Sequence, residues 1–315
     1  MKNDGFLRVA AATPHIRVAD CDFNKEAISA LLHTAAEQHV GAIVFPELCL
    51  TGYTCGDLFH DTTLLQAAEQ ALGELLEESK AYPLLAVVGL PAAFGSSLYN
   101  VAAVFCQGKL LGLTAKSHIP NYSEFYEARH FAPAPPTPVP VTFCGQETVL
   151  GCELVYTCME TPEFTVGVEI CEDLWVPEPP CAHMAQAGAT LLLNTSASDE
   201  VIGKANYRRG LVRDQSARLF CAYAYADAGE GESTTDLVFA GHNLIAENGG
   251  ILAESQPFTT GLTCAEIDLQ RLMQERRRAN TWNNRFDGPA PIPFSLELPD
   301  FPITRSFARL PFVPQ

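Results

Sequence analysis

The sequence contains no run of about 18 apolar residues, so no transmembrane helix is expected. It is also poor in positive charge. Twenty lysines and arginines stand against 37 aspartates and glutamates, for a net charge of −17, and basic residues gather only at positions 276–278. A surface this acidic repels phosphate backbones and anionic lipid, so neither nucleic acid nor a membrane is expected as a partner. The short arginine run is the pattern of a helix C-terminal flank. Paired cysteines are missing as well. There are 11 cysteines, an odd number, scattered without a single Cys-x-x-Cys pair. That spacing supports neither a disulfide framework nor a zinc site, and no metal is expected. Residues 1–5 pass straight into an alternating strand pattern, which is no secretory leader, so a reducing cytoplasmic setting is expected. No internal repeat occurs, and the one compositional oddity is a proline-rich stretch at 131–141, expected to be an irregular surface loop.

What the chain does have is a globular composition, 315 residues with 47% hydrophobic and 18% charged. That length buries a substantial core. Apolar runs at 6–12, 41–45, 84–89, 164–170, 190–194, 221–227 and 262–267 read as strands. Residues 99–106 and 109–115 read as a hairpin turning at Gln107-Gly108, and 237–246 with 250–255 as another. Helical spacing appears after Asp22 or Asn24, where Ala27, Ile28, Leu31, Leu32 and Ala35 share a face, and at 64–80, 178–188, 203–219 and from Asp268 to Arg278. The tail rich in Pro, Phe and Asn reads as extended. Strands alternating with helices, with hairpins inserted, predict one α/β domain.

Three polar residues stand just beyond apolar strands. Glu47 follows Ala-Ile-Val-Phe-Pro, Lys116 follows Leu-Leu-Gly-Leu-Thr-Ala, and Cys171 follows Val-Gly-Val-Glu-Ile. In α/β sheets ligands bind at the carboxyl ends of strands, so such groups can converge. Together they supply a nucleophile, a carboxylate to carry a proton, and a fixed cation for charge developing on oxygen. Taken singly, each has an ordinary reading: a turn carboxylate, a solvated lysine, a structural thiol. The setting of Cys171 is acidic, and Glu169, Glu172 and Asp173 are expected to raise its pKa.

The sequence around each residue resembles a known family. Phe45-Pro-Glu-Leu-Cys-Leu-Thr-Gly-Tyr-Thr-Cys-Gly-Asp-Leu-Phe59, Lys116-Ser-His-Ile-Pro-Asn-Tyr-Ser-Glu-Phe-Tyr-Glu-Ala-Arg-His-Phe131 and Gly167-Val-Glu-Ile-Cys-Glu-Asp-Leu-Trp175 resemble, in order, the glutamate, lysine and cysteine motifs of the nitrilase (carbon–nitrogen hydrolase) superfamily. Gly-Tyr-x-x-x-Asp-Leu after Glu47, Ile-Pro-Asn-Tyr after Lys116 and Cys-Glu-Asp-Leu-Trp resemble one branch, the glutaminase domains of glutamine-dependent NAD synthetases. The resemblance implies a four-layer α-β-β-α sandwich over residues 1–280, with 281–315 as an extended linker. The phosphate-loop motif Ser-Gly-Gly-x-Asp-Ser of that branch's ATP-dependent synthetase domain is not found, so the expectation is an isolated glutaminase domain whose partner is that missing domain.

The same resemblance implies Glu47 as general base, Cys171 as nucleophile, and Lys116 with the Glu172 N–H as oxyanion donors. Glu127 matches the family's second glutamate, with Glu124 as the competing candidate. It further implies L-glutamine as substrate, with Glu172, Ser198 and Lys204 at its charged end and Tyr53, Tyr122 and Phe125 walling the pocket. No cofactor is implied for this domain, and pairing into a homodimer through the sandwich is. Two other readings stay open: a stand-alone amidase or carbamoylase of the same superfamily, and a weakly active interaction domain that needs its synthetase partner.

Overall fold

Residues 6–12 are apolar at every position except Arg8, so a strand built from them must be covered on both faces. A computed structural model of the chain, which describes residues 2–285, 288 and 290–307, shows how. In β1 (Phe6–Thr13) Val9 and Ala11 face one core while Ala10 and Ala12 face another. The same alternation divides β2 (Ala42–Val44), where Ala42 and Val44 look one way and Ile43 the other. The chain continues through β3 (Leu85–Phe94), β4 (Ser97–Cys106), β5 (Lys109–Ala115), β6 (Val139–Phe143), β7 (Gln146–Gly151), β8 (Val155–Cys158) and β9 (Thr165–Ile170). It then adds β10 (Leu191–Ser196), β11 (Ala222–Asp227), β12 (Leu244–Glu247), β13 (Gly250–Glu254), β14 (Gly261–Asp268) and β15 (Ile292–Phe294).

These strands make two sheets, in the orders β14-β1-β2-β3-β4-β5-β7-β6 and β13-β12-β11-β10-β9-β8-β15. The core between them holds Val9, Val44 and Val87 from the first sheet and Val166, Val168, Leu191, Leu193 and Ala224 from the second. Helices α1 (Cys21–Glu37) and α2 (Thr62–Ser79) cover the outer face of the first sheet through Ile28, Leu32, Leu72 and Leu75. Helices α3 (Pro180–Gln186) and α4 (Lys204–Arg218) cover the other sheet through Met184, Ala185 and Val212. The layers are α-β-β-α, as expected. A last helix, α5 (Leu269–Arg278), follows β14, and Asp268 caps it by accepting from the Arg271 N–H. Arg276 of the arginine run is buried and donates to the carbonyls of Ala189, Leu219 and Phe220, so it closes loop ends instead of meeting a ligand.

Several local expectations differ from the structure. The cap of α1 is Asp20, whose carboxylate accepts from the Phe23 N–H at 3.1 Å, and neither Asp22 nor Asn24. Asn24 is buried and ties Arg17 to Leu50. Part of the proline-rich stretch is strand, because β6 lies at a sheet edge, where the missing N–H of Pro140 costs no ladder bond. Of the strand expected at 237–246, only β12 forms. Gly241 turns the chain at φ 62°, and a Cβ there would lie 2.9 Å from the Thr259 carbonyl oxygen, so 237–240 fold as a loop with Leu237 and Phe239 packed on Ala197 and Ala228. The tail is extended, and its described part packs. β15 pairs with β8, Phe294, Leu296, Leu298 and Phe301 are buried, and Arg305 makes a bidentate ion pair with Glu247 at 2.7 and 2.8 Å. Residues 286, 287, 289 and 308–315 of the expected linker lie outside the described residues.

Candidate active site

Glu47 lies just past β2, Lys116 immediately past β5 and Cys171 immediately past β9. The first two leave the eight-stranded sheet and the third leaves the seven-stranded one, so they meet only because the sheets are stacked. The Glu47 turn rests flat on β3. A Cβ on Gly89 would come within 2.4 Å of the Leu48 nitrogen and 2.6 Å of the Pro46 carbonyl oxygen, which glycine alone avoids. Cys171 has φ 42°, a conformation that costs a non-glycine residue energy and turns it sharply off the strand.

The polar atoms form one network. Oε1 of Glu47 accepts from the Lys116 ammonium at 2.6 Å and from the Asn100 amide at 2.6 Å, and Oε2 accepts from the Ala197 N–H at 3.0 Å. The Lys116 Nζ also donates to both oxygens of Glu127, at 2.7 and 2.9 Å. Tyr53 completes the set by donating its hydroxyl to Glu127 Oε1 at 2.9 Å. All of Glu47, Lys116 and Glu127 are buried, so two carboxylates share one ammonium away from water. Glu124 stands apart and lines an adjoining cavity.

Burial and charge set the protonation tendencies. Burial pushes the Glu127 carboxyl up to about 7, with Lys116 pulling it down and Glu47 pushing it up. Burial disfavours the Lys116 ammonium, but Glu127, Glu47 and Cys171 outweigh it and hold its pKa well above the ordinary lysine value. The Cys171 thiol lies well above its usual range. Burial is the first cause and Glu47 the second. Lys116 opposes them, Glu127 adds to the rise, and a hydrogen bond from the Ala197 N–H lowers it. The expected direction therefore holds, but the cause is burial and the facing carboxylates, not the neighbours Glu169, Glu172 and Asp173. Glu169 points to the opposite side of β9, where it accepts from Tyr223 and from the Cys181 N–H.

The rim is looser. Tyr122, 53% exposed, donates its hydroxyl to the two Glu172 oxygens at 3.0 Å each, and its ring meets Phe125 edge-on with centroids 5.9 Å apart. Lys204, at the start of α4, pairs with Asp199, and its ammonium lies 5.6 Å from the Phe125 ring centroid and 5.3 Å from that of Trp175. Ser198 accepts from buried Arg208 at 3.1 Å while its N–H donates to Asp227 at 2.9 Å. Glu47, Lys116, Glu127 and Tyr53 thus share one network, Tyr122, Phe125, Glu172 and Lys204 form a second, chained cluster that begins next to Cys171, and Ser198 is held by Arg208 and Asp227.

Sequence reasoning missed Asn100, Ala197 and Trp175. Asn100 carried a signal, a lone amide in an otherwise apolar strand. Ala197 carried none, because it acts through its backbone. The adjoining cavity, about 200 Å³, is lined by Tyr53 and Glu127 of the network together with Phe59, His130, Phe131 and Asp236. Among the described residues no group of three or more His, Cys, Asp or Glu could hold a metal ion, and no helix is long and apolar enough to cross a membrane.

Comparison with known proteins agrees with this architecture. The sequence model of the carbon-nitrogen hydrolase family matches residues 8–277. The glutamine-dependent NAD(+) synthetase of Mycobacterium tuberculosis is 40% identical over 321 residues, which span 98% of this chain and 47% of that protein. That of Mycobacterium leprae is 38% identical over 323 residues, 99% of this chain and 48% of that protein. The chain therefore spans about half the length of the curated relatives it matches. Among solved structures, a glutamine-dependent NAD(+) synthetase from Cytophaga hutchinsonii superimposes with a TM-score of 0.75 at 26% identity, over 88% of this chain and 46% of that one. A carbon-nitrogen hydrolase from Helicobacter pylori shares the fold, with a TM-score of 0.71 at 20% identity over 89% of this chain and 96% of that one.

Proposed function

The chain belongs to the carbon–nitrogen hydrolase family, and on that premise we propose that it is a glutamine amidohydrolase using Cys171, Glu47 and Lys116. The observation that carries this reading is the buried network in which Lys116 is held between Glu47 and Glu127, with the Cys171 thiol near enough to feel all three charges. The thiol is held protonated at rest, so it must lose its proton as it attacks. Glu47 takes that proton while Cys171 Sγ bonds to the side-chain amide carbon of glutamine. Lys116 and the Glu172 N–H stabilise the oxyanion. Glu172 lies in the first turn of a short 3-10 helix, Cys171–Leu174, where backbone N–H groups have no partner inside the helix. The C–N bond then breaks, Glu47 returns the proton to the leaving nitrogen, and ammonia departs from a glutamyl thioester. Water gives a proton to Glu47 and its oxygen to the thioester carbon, releasing glutamate and restoring the thiol. Glu127 and Tyr53 keep the Lys116 ammonium in place. No cofactor enters any step.

The substrate assignment rests on the rim. Glu172 offers a carboxylate to an α-ammonium, while Lys204 and the Ser198 hydroxyl offer donors to an α-carboxylate, over walls of Tyr122 and Phe125. Relatives of twice the length are named as NAD synthetases, so the ammonia is proposed to feed an ATP-dependent NAD synthetase domain, either joined to this one or acting beside it. Pairing of two copies is proposed on the family resemblance. The decisive experiment measures ammonia release from L-glutamine, acetamide and propionamide, with and without a synthetase domain from a relative. Glutamine is expected to be preferred at least tenfold in kcat/KM. Equal or better turnover of the neutral amides would replace the glutaminase reading with that of a general amidase.

A further inference from the structure

Asp173 is buried and takes no part in the chemical steps above. Its contacts nevertheless join the two halves of the site. Oδ1 accepts from the His118 N–H at 2.9 Å, from the His118 ring Nδ1 at 2.8 Å and from the Ser117 N–H at 3.2 Å. Oδ2 accepts from the Ile170 N–H at 3.3 Å and from the Ser117 N–H at 3.3 Å. Ser117 directly follows Lys116 at the end of β5, and Ile170 directly precedes Cys171 at the end of β9. Those strands lie in different sheets.

We propose that Asp173 is a positioning residue, a carboxylate clip that fixes the strand end bearing Cys171 against the strand end bearing Lys116 across the sandwich. This rests on the glutaminase reading for its kinetic consequence. The geometry separates the clip from the other ties at the site. Glu47 is bound to the end of β10 through its N–H to the Ser196 carbonyl at 3.3 Å and through Ala197. The Lys116 N–H goes to Asn100, within its own sheet. Asp173 alone among these ties runs between the segments flanking Lys116 and Cys171.

The chemistry of the clip requires an acceptor on both oxygens. The three backbone partners are N–H donors, and the imidazole donates from Nδ1 when it faces a carboxylate. An asparagine at 173 keeps the shape but turns an NH2 group towards one set of donors, which drives the two strand ends apart. Small displacements of this kind are expensive, since a misplacement of about 1 Å costs on the order of 100-fold in rate. A residue that merely supported the fold would lower the amount of folded protein and leave each folded site as fast as before.

The test compares wild type, Asp173→Asn and His118→Ala in the full chain. It measures kcat and KM for L-glutamine per folded site, melting temperature, and the second-order rate of Cys171 alkylation by iodoacetamide. Asp173→Asn is expected to lower kcat about 30- to 100-fold with KM within about threefold, and to slow alkylation at least fivefold. His118→Ala, which keeps every backbone contact, is expected to lower kcat about threefold. Wild-type kcat per folded site in Asp173→Asn overturns the clip; if that variant does not fold, wild-type kcat in His118→Ala overturns it. If the wild-type chain releases no ammonia from glutamine even beside a relative's synthetase domain, the glutaminase reading fails separately. The alkylation rates then judge the clip alone, with equal rates in wild type and Asp173→Asn counting against it.

Discussion

The centre and the rim of the pocket are built on opposite terms. At the centre, Glu47, Lys116 and Glu127 are buried, and each is held by two or more hydrogen bonds from different elements. At the rim, Tyr122 is half exposed with Glu172 as its one hydrogen-bond partner and Phe125 as a ring neighbour, while Lys204 has Asp199 and two aromatic rings. A buried ion cluster is costly to assemble and still more costly to leave incomplete, so it persists as a unit. An exposed side chain such as Tyr122, with one hydrogen-bond partner, can exchange that partner for a ligand at little cost. The difference teaches that, on the proposed reading, reaction geometry is fixed before substrate arrives, whereas recognition falls to groups whose present partners a substrate would replace.

The sharpest way to break this comparison is Lys116→Met. It leaves two buried carboxylates facing each other without a cation. Ammonia release is expected to fall by about 10³-fold or more, and stability to drop by about 3–5 kcal/mol at neutral pH. Stopped assays and chemical denaturation measure both, and a loss under tenfold would mean that the centre is not where reaction occurs. Lys204→Ala probes the rim with a smaller effect. KM for glutamine is expected to rise about 10- to 30-fold with kcat within about threefold, while kinetics on a neutral amide stay unchanged. A matching loss on the neutral amide would remove the carboxylate contact from the reading.

The smallest effect sharpens the comparison with a carboxyl that is buried like the centre but has no lysine beside it. Burial raises Glu169 to about 7 from an ordinary 4.5. The folded protein therefore binds this proton more tightly than the unfolded chain does. The stability contribution is full below pH 4.5 and is lost as pH rises towards 7, up to about 3 kcal/mol. Glu169→Gln removes that loss and can still pair with Tyr223 and the Cys181 N–H. Relative to wild type, its melting temperature is expected to rise between pH 5 and pH 8. A constant difference across that range would show that Glu169 is charged in the fold throughout.

The same contrast governs what could be read from sequence. The strand-end places of Glu47, Lys116 and Cys171 were legible because each ends a continuous apolar run, and ligands bind at the carboxyl ends of strands in α/β sheets; their proposed roles came from the motifs around them. The α/β class was legible from the alternation of strands and helices, and the four layers only through the resemblance of the three motifs. The rim was legible only by resemblance, because nothing in the local pattern tells that Trp175 lies under Lys204 or that Arg208 holds Ser198. The half-exposed strands β6 and β7 and the four-residue β8 escaped because their apolar runs are short, and β6 also contains a proline. The loop at 237–240 misled because its apolar residues pack on the pocket wall, a tertiary role that imitates a strand in one dimension. Asp173 was visible but uninterpretable, since Ser117 and His118, its partners in the other sheet, lie more than 50 positions away in the chain.

The glycine beneath Glu47 gives the site a hidden heritability. Position 89 contributes no functional group, yet any side chain there would collide with the backbone that carries the proposed base. A substitution as slight as alanine would therefore act on proton transfer without touching a reacting atom. In descent, the freedom of the glutamate turn to change is limited by a neighbouring strand whose only qualification is emptiness.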